Sequence, residues 1–92
     1  WIISDIREIA DICRRHKSRM LLMDYPGDES FSELMSKIAG DNSIPFVSNY
    51  RVFSVMDRAV SRNCFVSDGH CSADGYAVIA RNLLNFLEAE GK

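Results

Sequence analysis

Cys64-Phe65-Val66-Ser67-Asp68-Gly69-His70-Cys71-Ser72-Ala73-Asp74-Gly75-Tyr76-Ala77-Val78-Ile79-Ala80 is the stretch from which the rest of the chain can be read. A short apolar run, Cys64 to Val66, enters a polar turn holding an acid, a glycine and a histidine, and the turn passes straight into an amphipathic helix. Gly69 permits a bend that a side chain would resist. Ser72 suits the N-cap of the helix and Asp74 its first turn, where backbone N–H groups favour an acceptor and negative charge. Apolar residues then recur at Tyr76, Ile79, Ala80, Leu83, Leu84 and Leu87, one face of a 3.6-residue repeat that has to be buried on something. This helix is expected to run to about Glu88.

Asp68 and His70 lie two residues apart on the bend. A histidine that takes a proton from a hydroxyl needs one ring nitrogen free and the other held by an acceptor, and a carboxylate fixes both tautomer and ring orientation. His70 is thus the candidate general base and Asp68 its candidate orienter. Ser67 and Ser72 are too near His70 along the chain to reach its ring in line, and the side chain of Cys71 should diverge from its neighbour's. Nothing outside the segment completes a metal site from Asp68, His70 and Asp74, so no metal or other cofactor is expected. His16 belongs to a basic cluster with Arg14, Arg15, Lys17 and Arg19 where the first helix should end, a place that favours positive charge.

The order apolar-Ser-Asp-Gly-His, a small polar residue two further on, glycine five after the histidine and then an apolar helix resembles the last motif block of the SGNH (GDSL-type) hydrolases. In that family the acid more often stands three residues before the histidine, a position Ser67 holds here. The resemblance implies His70 as general base and Asp68 as its partner in a serine triad. It implies substrates that are ester or acetylated small molecules, lipids or carbohydrates. The family's nucleophile comes from a Gly-Asp-Ser block upstream, and neither that block nor a Gly-x-Asn-Asp motif occurs in these residues. The chain opens on Trp1 rather than Met, so the expectation is a fragment of a larger hydrolase domain, inactive alone for lack of the serine.

The 92 residues allow one α/β unit at most, and a domain of this size buries only about 60–65% of its unfolded surface. With 47% hydrophobic and 26% charged residues the composition is that of a folded globular chain. A net charge of −2 argues against nucleic-acid binding, which needs a basic excess on one face. No apolar run reaches the roughly 18 residues of a membrane span. Cys13, Cys64 and Cys71 lack the Cys-x-x-Cys spacing of metal or redox sites, and a Cys64–Cys71 bridge across the turn remains open.

Upstream, Ile2, Ile6, Ile9, Ala10 and Cys13 share one side of a helix from about Ile2 to His16. Arg19 to Asp24, with Met20-Leu21-Leu22-Met23 unalternating, reads as a strand covered on both faces. Tyr25-Pro26-Gly27-Asp28 breaks it at its carboxyl end, where open α/β sheets place ligands. A helix from about Ser30 to Ala39 follows, with Ser30 and Glu33 as a capping box and Gly40 as its stop. Ile44 to Val47 is a second strand, parallel to the first by the crossover rule. Val52, Val55, Met56, Ala59 and Val60 mark a third helix, Asn49 to about Arg62.

This order matches the C-terminal half of an SGNH hydrolase, a partial flavodoxin-like three-layer sandwich with a short parallel sheet. Two strands against four helices leave edges and apolar faces uncovered, which implies self-association or pairing with a missing N-terminal half. The alternative reading is a non-catalytic α/β interaction module in which Asp68 and His70 shape a turn.

Overall fold

The computed structural model describes residues 2–90. Its elements are α1 (Ile2–Arg15), β1 (Leu22–Met23), α2 (Glu29–Asp41), β2 (Phe46–Val47), α3 (Asn49–Ser54), α4 (Arg58–Arg62) and α5 (Ala73–Glu90). The chain is a mixed α/β unit, mostly helical, around one small parallel sheet. Leu22 lies opposite Phe46 and Met23 opposite Val47, and Leu22 N–H donates to Pro45 O at 3.0 Å. The strand–helix–strand crossover expected over 19–47 is present. Its strands are shorter than expected because each has a single neighbour to ladder with.

Both helices that precede a strand end in the same way. At the end of α1, Ser18 N–H reaches back to Cys13 O at 2.8 Å, with Lys17 left-handed at φ 56°. At the end of α2, Ile44 N–H reaches Ala39 O at 2.8 Å, with Ser43 at φ 55°. These are Schellman closures in which a residue other than glycine takes the left-handed position. They correct the reading of α2: Gly40 lies inside the helix, and the stop comes at Asn42–Ser43. Its N-cap is Asp28, whose carboxylate accepts from Phe31 N–H at 3.1 Å, rather than Ser30.

The expected third helix is two helices. Asp57 accepts from Ala59 N–H at 2.9 Å and so caps a new helix, and a side chain that satisfies backbone donors locally competes with helix continuation. Val55, expected on the buried face, is 81% exposed at the break.

One layer of core lies between α1, α2 and the sheet: Ile6, Ala10, Met35, Ile38, Ala39 and Ile44, with Met20, Leu22 and Phe46 against them. On the other side α5 packs on β2 and α3. The burial expected of α5 is not achieved. Tyr76, Leu84 and Leu87 are about half exposed, because only Gly75 of this helix is fully buried. Ile3, Ile9 and Ile12 on α1 are likewise exposed. The molecule is a plate of 44 × 34 × 19 Å that exposes 6669 Å², where a compact protein of 10.4 kDa exposes about 5,400 Å². Among the described residues no helix is long and apolar enough to cross a membrane.

Asp24, the residue after β1, joins three elements. Its buried carboxylate accepts from Ser32 Oγ of α2 at 2.5 Å, from Ser48 Oγ at 2.8 Å, and from the N–H groups of Asn49 and Tyr50 at 2.5 and 3.1 Å. Its carbonyl accepts from Asn49 Nδ2 at 2.8 Å. Asn82 of α5 then donates to Asn49 Oδ1 at 3.0 Å and to Ser48 O at 3.2 Å, so the network runs from α2 through both strand ends to α5. A buried charge is tolerated only when its acceptor sites are filled. Asp24→Ala strands two hydroxyls and two backbone donors at once and should cost about 3 kcal/mol or more. In a chain this size that lowers the melting temperature by at least about 12 °C, and a fall of only a few degrees in thermal unfolding would contradict the role given to Asp24.

Candidate functional site

The stretch that carries the candidate base folds as a tight hairpin in front of α5. Phe65 and Cys71 form an antiparallel bridge, Val66 N–H donates to His70 O at 2.8 Å, and Ser72 N–H donates to Cys64 O at 2.7 Å. Gly69 turns the tip at φ 90°, where a side chain would be strained. Ser72 caps α5 as expected: its hydroxyl accepts from Gly75 N–H at 3.3 Å and donates to Asn63 O at 2.7 Å. The requirement for Gly75 is steric. A Cβ there would stand 2.1 Å from Cys64 O and 3.0 Å from Cys71 Cβ, so glycine lets the helix rest directly on the main chain of the hairpin. Phe65 packs on Phe53 with ring centroids 5.6 Å apart, which ties the hairpin to α3.

Asp68 and His70 are both exposed at the tip. The hairpin brings them together, and the bond between them runs from the His70 backbone N–H to Asp68 Oδ1 at 3.1 Å. Asp68 therefore shapes the turn through the main chain of the residue it was expected to orient through the ring. Cys64 and Cys71 are buried beneath the tip as free thiols, and no bridge joins them. Burial pushes the Cys64 thiol above the ordinary cysteine value, with the negative charge of Asp74 adding to it.

Tyr25, the residue after Asp24, links this hairpin to the sheet. Its hydroxyl accepts from Cys71 N–H at 2.8 Å. The segment at the carboxyl end of β1 therefore touches the histidine turn, a contact that the sequence did not indicate. Asp24, Ser48, Asn49 and Asn82 were not anticipated. An acid closing an apolar run, followed a crossover later by Ser-Asn, is the signal that points to them.

A cleft of about 870 Å³ lies between α2, β2, α3 and α5, lined among others by Ser32, Phe46, Ser48, Asn82 and Phe86. Asp68 and His70 do not line it. Comparison of the chain with protein-family models, with curated proteins and with solved structures found no match.

The Tyr25 phenol is pushed up to about 12, first by its hydrogen bond with the Cys71 side chain. Its unfolded value is about 10, so the folded chain keeps this proton to higher pH. Its contribution to stability is intact below about pH 10 and lost as the pH rises towards 12. Ultraviolet titration should resolve one of the three tyrosines in a late step, and Tyr25→Phe should abolish that step. A Tyr25 step no later than the free-tyrosine value of about 10 would contradict the hydrogen bond with the Cys71 side chain.

Proposed function

We propose that this chain is the C-terminal part of an SGNH/GDSL-type ester hydrolase with a flavodoxin-like sandwich fold, and that it supplies the general base His70. The observation that carries the proposal is the bond from Cys71 N–H to Tyr25 Oη, which fixes the Asp-Gly-His turn beside the carboxyl end of β1. That is the end of a parallel sheet at which open α/β folds bind ligands. His70 is exposed there on a backbone held by Gly69, Asp68 and the Phe65–Cys71 bridge. The surface that exceeds a compact monomer's by about 1,300 Å² fits a unit completed by further structure. In the complete site His70 takes the proton of a serine hydroxyl supplied from outside these residues as the hydroxyl attacks an ester or acetyl carbonyl. It then returns the proton to the leaving alcohol. Asp68 Oδ1 holds the turn through the His70 main-chain N–H, and orientation of the imidazole by its carboxylate is part of the proposal for the complete site.

The bond of Asp68 to the main chain favours a second reading, a non-catalytic interaction module whose acid only shapes the bend. Hydrolysis of p-nitrophenyl acetate separates the two. Under the first reading the intact gene product turns the ester over, His70→Ala lowers kcat about a thousandfold or more, and the 92-residue chain alone is inactive. Unchanged kcat in the variant, or turnover by the isolated chain that is lost with His70→Ala, would contradict this assignment.

A further inference from the structure

In a parallel ladder the main-chain groups of one strand face its two edges alternately. Leu22 N–H donates to Pro45 O, and Leu22 pairs with Phe46, so the groups of Pro45 and Val47 face β1. Those of Phe46 and Ser48 face the opposite edge, into the cleft between α2 and α5. On that edge Ser48 O is taken by Asn82 Nδ2 at 3.2 Å. The N–H and C=O of Phe46 and the N–H of Ser48 have no partner among the described residues. An unpaired row of this kind is a template for another strand.

The walls decide what can enter. Ser32 and Ser36, one helical turn apart on α2 with Glu33 and Lys37 beside them, stand on one side, and Asn82, Asn85 and Phe86 of α5 on the other. The edge is thus recessed between two helices. A second copy, whose identical edge is recessed in the same way, cannot bring its β2 down to it. A single extended chain can. We propose that this cleft binds an extended polypeptide segment by strand addition to β2, a site separate from the His70 turn. The segment pairs its main chain with Phe46 and Ser48, and its side chains point alternately to the polar α2 wall, where Ser32 and Ser36 are the small residues, and to Phe86, which offers an apolar contact.

The test is selection of a phage-displayed random dodecapeptide library on the intact gene product, counter-selected on its Asn85→Trp variant, which fills the cleft from an exposed helical position; an edge already covered by the rest of the protein would enrich no peptide. Circular dichroism confirms that this variant is folded. Expected are peptides with alternating apolar residues that bind the parent chain at least tenfold more tightly than the variant. They should protect the amides of Phe46 and Ser48, but not that of Val47, from hydrogen exchange, and lose binding when alternate residues are N-methylated. Failure to enrich any such peptide, or binders indifferent to Asn85→Trp, to N-methylation or to the Phe46 and Ser48 amides, would overturn the proposal.

Discussion

The carboxylate of Asp24 is the constraint on which the carboxyl end of this sheet depends. A charge at 4% exposure is unfavourable unless its acceptor sites are filled, and here they are filled by donors from α2, from the residue after β2 and from the start of α3. The donors come from segments distant in sequence, so filling them fixes where the crossover helix ends up and where the chain leaves β2. In a two-strand sheet with one layer of apolar core, these bonds replace the register that further strands would impose.

Position of the histidine turn follows from the same place. Asp24 holds the main chain at the end of β1, and the next residue, Tyr25, projects its hydroxyl onto Cys71 N–H. The hairpin is gripped on its other side by α5, which approaches closely enough that only glycine fits at position 75. Phe53 against Phe65 closes the third side. His70 is therefore exposed yet carried on a backbone fixed from three directions, which is compatible with the proposed proton transfer. Beneath the tip the two thiols are shielded, and Ser67, Asp68 and His70 are the polar side chains exposed there.

Much of this was legible in the residues. The unalternating run Met20 to Met23, the ten-residue helical pattern from Ser30 to Ala39 and the second apolar run marked a parallel crossover, and Ser72 with Gly75 marked the start of the last helix. What misled were local signals outweighed by geometry. Gly40 is a good helix stop, but the closure that feeds β2 needed its left-handed residue at Ser43. Asp57 broke a helix whose apolar spacing continued across it. The stripe on α5 promised burial, and apolar periodicity does not say whether the surface that buries it lies in the same chain. Asp24 was hidden for a different reason: an acid at the end of an apolar run looks like a boundary residue until its partners, Ser32 eight positions on and Ser48 to Tyr50 more than twenty, are brought to it.

The central claim is that His70 was placed to serve a serine these residues do not contain. Its most direct test is reaction of the intact gene product with a fluorophosphonate, followed by mass spectrometric mapping of the modified residue. The account predicts one labelled serine outside the 92 residues, with labelling slowed about a thousandfold or more in His70→Ala. Absence of any labelled serine, or equal labelling in the variant, would contradict it.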